Sequence, residues 1–414
     1  MDTTGSDALE SRNARRFIWA NGLQGVGDQV VAGKTVLPWV FTAAGVPAVF
    51  TAFLVPIREA GSMLPQAALT PWVASAKSRT RLWIIGSLGQ ALAAAAIAVA
   101  ALLLDGIALG SAVVLFLAIQ AVFRALCSIA GKDVQGRTIS KGRRGEVTGR
   151  ATALTGAATL VIGFGLSAVP DSAPRWVVAA LLGGGAATWA FAAIVFAGVR
   201  EPVAKGRPSS TDGHNWLAET LALLREDRKV RSFLLVRSLM LVTALSTPFI
   251  VVLAHESGQD LTGLGAFVVA SGGASLLGGR VSGWWSDVSS KQAMAWSAGA
   301  ASVVLVILVA SARWASSSVN AWVMPLGFFL VNLAHTTVRV SRKTYLVDMA
   351  EGDRRTLITG ASNTVMGVVL LVVGGLSSLV STIGTQETLV FLAALGAAGV
   401  VGAGRLEDVS GGRG

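Results

Sequence analysis

The chain is poor in the residues that carry most disulfide, metal and hydrolytic chemistry. Its 414 residues include one cysteine, one tyrosine and three histidines. A single cysteine, Cys127, excludes an internal disulfide, and no Cys/His cluster offers the spacing of a metal site. Cys127 reads as a small residue within a helix. Neither H-E-x-x-H nor G-x-S-x-G occurs, so no catalytic constellation, metal or cofactor is expected. Charge is scarce as well: 14% of residues are charged, against about 25% in an ordinary soluble domain. Most of the chain therefore avoids water. The stretch up to Arg16 is polar and lacks an apolar core followed by a cleavage site. No removable signal peptide is expected, and the first apolar run should persist as a membrane span.

What is present is apolar and helical. Apolar residues make up 53% of the chain, and mean hydropathy is +0.63. Apolar runs near 20 residues recur along its length, each long enough for a hydrocarbon core of about 30 Å. The 48 glycines suit close helix packing in lipid. Twelve helical spans are read near 17–41, 46–70, 82–104, 108–131, 149–169, 175–198, 232–254, 262–285, 293–312, 319–341, 357–380 and 386–404. The expected fold is all-α: a bundle over 1–199, a polar linker over 200–231 and a second bundle over 232–414. Within the linker, Trp216, Leu217, Thr220, Leu221 and Leu224 recur at helical spacing, which suits an amphipathic helix on the membrane surface.

The chain carries a net charge of +11, and its placement is informative. Lys and Arg crowd the N-terminal tail, the loops after even-numbered spans and the C-terminal tail. The opposite loops hold only Arg175 and Arg313. Basic loops stay cytoplasmic, so both termini lie inside a multi-pass inner (plasma) membrane protein. This explains the basic surplus without nucleic acid. Lys132, Arg143-Arg144 and Thr148-Gly149 recur as Lys343, Arg354-Arg355 and Thr359-Gly360, each displaced by 211 residues. Both copies fall on one side, so the halves are parallel repeats.

The loop after the eighth span reads Gly283-Trp284-Trp285-Ser286-Asp287-Val288-Ser289-Ser290-Lys291. With twelve spans, internal termini, two halves and a long central loop, the chain resembles the major facilitator superfamily over nearly its whole length. That resemblance implies a secondary transporter with alternating access. It also implies that Asp287 caps the start of the fifth span and that this loop acts as a cytoplasmic gate, with Lys291, Arg143, Arg144, Arg354 and Arg355 beside it. The equivalent N-half loop has Pro71 for Gly and Ser75 for Asp, while Arg79 keeps the basic position.

Charged residues within spans cost about 2.5–3.5 kcal/mol each at a helix centre and survive by pairing, hydration or function. Asn21, Gln24, Asp28 and Thr35 share one face of the first span. Asp28 suits a proton or substrate site, or a structural pair with an arginine. Arg58 is the obvious partner. Glu59 is a second protonatable group or structural glue, and shares a face with Ser62 and Gln66. Gln120 and Arg124 share a face of the fourth span. The resemblance implies a coupling role for an arginine there, the alternative being a helix junction. Thr243, Ser246 and Thr247 in the seventh span, Asn332 and His335 in the tenth, and Asn363 in the eleventh are candidate cavity residues. His335 could titrate near neutral pH or serve as a hydrogen-bonded structural residue. It lies 211 residues after Arg124. Arg237 and Arg280 lie near cytoplasmic ends, where long stems snorkel. Lys34 has no assigned role. Gly27 to Thr35 ends like a P-loop, but the spacing is wrong and no strand precedes it.

The expected function is secondary transport of a small molecule, proton-coupled through Asp28, Arg58, Glu59 and Arg124, by a chain that works as a monomer in the bilayer. Ion-independent facilitated diffusion and a receptor or scaffold signalling through the linker are the alternatives.

Overall fold

The structure is a computed structural model. It describes residues 3–66, 69, 72–73, 76–140, 143–168, 174–201, 222–259, 261–349, 352–407 and 409. The described residues fold into helices without strands. In chain order they are α1 (Thr3–Val30), α2 (Val36–Ala43), α3 (Ala48–Met63), α4 (Arg79–Leu103), α5 (Gly106–Thr138), α6 (Arg144–Ser167) and α7 (Arg175–Ala197). Then come α8 (Arg228–Leu239), α9 (Val242–Glu256), α10 (Leu261–Val288), α11 (Ser290–Trp314), α12 (Ser317–Met349), α13 (Gly352–Ser381) and α14 (Thr385–Gly404). They make twelve spans, because α1 and α2 form one broken span, as do α8 and α9. Nine stretches of the described helices are long and apolar enough to cross a bilayer.

The two breaks depart from the continuous spans expected over 17–41 and 232–254. Pro38, in the first turn of α2, explains the first. Its ring would strike the carbonyl of Lys34 in a continuous helix, whereas near a helix start its missing N–H costs nothing. The second break, at Met240–Leu241, has neither Gly nor Pro. There the Thr243 hydroxyl bonds the Met240 carbonyl at 3.3 Å, so a side chain enters the backbone ladder.

The chain divides into two compact units. The first comprises 1–32, 57–161 and 172–212. In it α4 packs against α5 and α7, and α1 against α7. Phe17, Trp83, Cys127 and Phe196 belong to one buried cluster. Trp83 stacks on Phe196 with ring centroids 3.8 Å apart. Small residues permit this closeness: Gly86 lies where a Cβ would stand 2.7 Å from Cys127 Sγ and 2.9 Å from the Phe123 carbonyl oxygen.

The second unit comprises 33–56, 162–171 and 213–414. In it α12 packs against α10, α11 and α9, and α14 against α11, α9 and α8. Helix α2 also lies against α9. Pro248 removes an N–H within α9, and the Thr247 hydroxyl donates to the carbonyl thereby left free, that of Ala244, at 3.0 Å.

Large apolar side chains face outward along the helices, among them Leu92, Val161, Ile194 and Leu379. Such a surface is stable only against lipid. Trp176, Trp314 and Trp322 are exposed near helix ends, as interfacial tryptophans are. The protein is a multi-pass membrane protein.

Candidate functional site

The first unit holds a charge cluster inside its span region. Asp28 lies near the end of α1, one turn before the break. Arg58 of α3 reaches its carboxylate with Nη2 at 2.7 Å, and Arg124 of α5 reaches the other oxygen at 3.4 Å. Arg58 does more than pair. Its Nη2 also donates to the Asp28 carbonyl, and its Nη1 to the Val31 carbonyl, each at 3.1 Å. The last carbonyls of a helix lack intrahelical donors and carry partial negative charge. Arg58 therefore closes the broken end of α1 while balancing Asp28. Glu59 lies within electrostatic range of both arginines. Ser62 and Gln66, expected on the face of Glu59, bond back to their own helix.

Beside this cluster lies a neutral polar layer. Gln24 Nε2 approaches Ser87 Oγ at 3.4 Å and Cys127 Sγ at 3.5 Å. Gln90, almost fully buried, donates to Cys127 Sγ at 3.4 Å, and the Cys127 thiol donates to the Trp83 carbonyl at 3.2 Å. Ser87 donates to the Trp189 carbonyl at 2.7 Å. Cys127 is thus a hydrogen-bonding hub rather than only a small packing residue. Gln90 escaped the sequence reading because it stands alone in an apolar run. Asn21 folds back on the Phe17 carbonyl at 2.9 Å. Gln120 is buried, and its Nε2 has no hydrogen-bond partner.

In the second unit His335 Nδ1 lies 3.2 Å from Thr243 Oγ1. One hydroxyl has one proton. If Thr243 gives it to the Met240 carbonyl, the imidazole is the donor to Thr243, which fixes the tautomer. Lys34, in the break before α2, lies within electrostatic range of His335, as do Arg339 and Arg342. Asn332 is buried and bonds to the Phe328 carbonyl at 3.0 Å, while Asn363 is half-buried. Thr247 is occupied with repairing α9, as described above. Arg237 corrects the sequence reading. It does not snorkel: only 6% of it is exposed, and its Nε has no hydrogen-bond partner.

The expected cytoplasmic residues are partly visible. Arg79 is buried and pairs through Nε with Asp133 at 2.9 Å. Asp133 also binds Arg137 at 3.0 Å. Arg143 reaches Glu10 at 3.4 Å, and Ser140 donates to the same carboxylate through its hydroxyl at 2.8 Å and its backbone N–H at 3.3 Å. These bonds hold the Glu10 carboxyl below its ordinary pKa, Ser140 contributing most. Lys291 Nζ donates to the Gly404 and Leu406 carbonyls at 3.3 and 2.6 Å, capping the end of α14. Ser75 and most of the amphipathic stretch, including Trp216 and Leu217, lie outside the described residues. So do the side chains of Asp287, Arg144, Arg354 and Arg355, and with Asp287 its expected meeting with the fifth span. Among the described residues, no three His, Cys, Asp or Glu side chains group as a metal site would.

No family model matches the sequence, and no curated protein matches it. Solved structures do resemble it. The nucleoside transporter NupG is 12% identical, with 96% of this chain and 98% of that one covered and a TM-score of 0.69. A D-xylose-proton symporter is 11% identical, with coverage of 97% and 99% and a TM-score of 0.71. The human organic anion transporter MFSD10 is 14% identical, with coverage of 95% and 99% and a TM-score of 0.60. The chain has the twelve-span major facilitator fold.

Proposed function

We propose that the protein is a secondary transporter that moves a small molecule across the membrane by alternating access, with proton movement coupled through Asp28. The halves 1–199 and 232–414 are the bodies that rearrange, and the linker over 200–231 joins them. The observation that carries this reading is the position of Asp28. It is an ionisable group inside a membrane span, at a helix break, held by two arginines from two other helices. A single acid shared by two cations has two discrete arrangements available. Protonation of Asp28 weakens its hold on Arg124 first, because Arg58 keeps its backbone acceptors. Arg124 is then free to turn to substrate or to Glu59. Proton occupancy would thus bias a two-state element, which is what coupling requires.

The shared fold supports transport over catalysis, since the neighbours named above are transporters and one is a proton symporter. Fold alone does not carry function, so the residues must be tested. The decisive experiment reconstitutes the protein in liposomes and follows substrate-dependent proton flux with an internal pH dye. Asp28→Asn is expected to abolish coupled proton movement while substrate still binds. Undiminished proton flux in that variant would remove Asp28 from the role, and flux indifferent to a pH gradient in the wild type would favour facilitated diffusion.

A further inference from the structure

Arg124 leaves most of its donors unused. Its Nη2 stands 3.4 Å from Asp28 Oδ2, and it makes no hydrogen bond to a described residue. Its side chain is 34% exposed. That exposure is not to lipid. Leu115, Ile119 and Val122 face outward along one side of α5, and at about 100° per residue Arg124 lies on the opposite side. One turn before it, on the same face, stands Gln120. Gln120 is only 3% exposed, and its Nε2 has no hydrogen-bond partner. A buried amide donor without an acceptor is rare and costly. Helix α5 therefore presents an unfilled amide and an under-used guanidinium, with Cβ atoms about 5–6 Å apart, to the interior of the first unit. Asp28 faces both Arg58 and Arg124, and Glu59 and Cys127 also lie within electrostatic range of these arginines. At the same level, α6 and α7 bring Thr155, Thr188 and Trp189 to α1, none of them titratable.

We propose that Arg124 and Gln120 form the site for a singly charged carboxylate group of the transported molecule, which replaces Asp28 on Arg124 when Asp28 binds a proton. The proton passes from solution to Oδ2, the oxygen facing Arg124, because Oδ1 and the Asp28 carbonyl keep Arg58. Arg124 is then a cation without a counter-ion. A carboxylate meets its planar donors through two oxygens, and the Gln120 amide donates to one of them. Charge selects the class. The proton removes one negative charge and the substrate brings one, so the cluster carries the same charge empty and loaded. A proton without substrate, or substrate without a proton, would change the charge inside the span, which the membrane penalises. A neutral solute would leave Arg124 bare, and a dianion would leave an excess negative charge. The site lies wholly within the first unit. It names the substrate class of the transporter inferred above, on which it rests.

The test uses purified full-length protein and three probe pairs: acetate against acetamide, lactate against lactamide, and benzoate against benzamide. Thermal stabilisation by each is titrated between about pH 6 and pH 8, where the carboxylic acids stay ionised. At least one carboxylate should raise the melting temperature while its amide does not. Each carboxylate bound takes up one proton, so its apparent affinity should weaken by up to about tenfold per pH unit as the pH rises. Arg124→Gln should weaken binding by about tenfold or more, and Arg124→Lys should lose less. Gln120→Leu should also weaken binding yet melt no lower than the wild type, because it removes an unsatisfied buried donor. It gives the second readout if Arg124→Gln folds poorly. Asp28→Asn, which fixes the neutral form, should keep carboxylate binding and lose its pH dependence. The proposal falls if no carboxylate stabilises the protein or if the amides do so equally. It also falls if Arg124→Gln and Gln120→Leu bind as the wild type does, or if wild-type affinity is indifferent to pH. Liposome flux of the stabilising carboxylate separates the two readings. A carboxylate that binds through Arg124 but never crosses would overturn transport and keep the site, whereas proton-coupled flux of an uncharged member alone would do the reverse.

Discussion

Arg58 and Arg124 both contact Asp28, yet their positions differ in kind. Arg58 is largely buried and satisfies a carboxylate and two helix-end carbonyls at once, whereas Arg124 is more exposed and makes one longer ion pair. Removing Arg58 takes from Asp28 its closer cation and from two helix-end carbonyls their donor, and breaking a buried pair costs about 3–5 kcal/mol. Arg58→Ala is therefore expected to lower the melting temperature of the detergent-purified protein strongly. Arg124→Ala should lower it much less and show its main effect in transport. Equal destabilisation by the two would mean that Arg58 does not close the end of α1. The same residue-level view redistributes the candidate cavity set. Thr247 repairs a proline gap and Asn21 bonds its own helix, while Thr243 and His335 form a pair.

The elements reveal how composition becomes packing. The span breaks in α1–α2 and α8–α9 lie close to the 211-residue displacement seen in the cytoplasmic loops. One follows from Pro38 and the other from a hydroxyl, so the geometry repeats although its chemical cause does not. The glycines divide just as sharply. At Gly86 a methyl group would press on Cys127 and on the Phe123 backbone, while at Gly183 nothing lies within 4 Å of the added carbon. Overpacking costs about 1–3 kcal/mol, whereas Gly→Ala in an open helical position gains up to about 1 kcal/mol. Gly86→Ala should lower the melting temperature and Gly183→Ala should hold or raise it. Similar values for the two would refute close α4–α5 packing.

At the scale of the whole molecule, distant segments are tied together within the first unit. Asn13 exchanges two hydrogen bonds with the Arg200 backbone, and Ser78 donates to Glu201 at 2.7 Å. Glu10 binds Ser140 and Arg143 across more than a hundred residues. Its folded-state pKa is depressed, so its contribution to stability is fully present above the unfolded value of about 4.3 and is lost as pH falls through the folded value. The wild type should melt above Glu10→Gln at pH 7, with the difference shrinking as the pH is taken below about 4. A constant difference across that range would mean that the Glu10 charge does not contribute.

Sequence alone determined the class and the number of spans, because lipid imposes rules that act locally along the chain. A span must be long and apolar, and a basic loop stays inside, whatever the rest of the protein does. It also pointed to Asp28 and Arg58, because charge is rare enough in a span to stand out. The breaks, the Gln24–Gln90–Cys127 layer, the helix-capping roles of Arg58 and Lys291 and the burial of Arg237 were decided only by the tertiary structure. Each depends on which helix lies beside which, and on whether a donor finds an acceptor there. Arg237 and a snorkelling arginine have the same sequence signature, and only the packing around α8 distinguishes them.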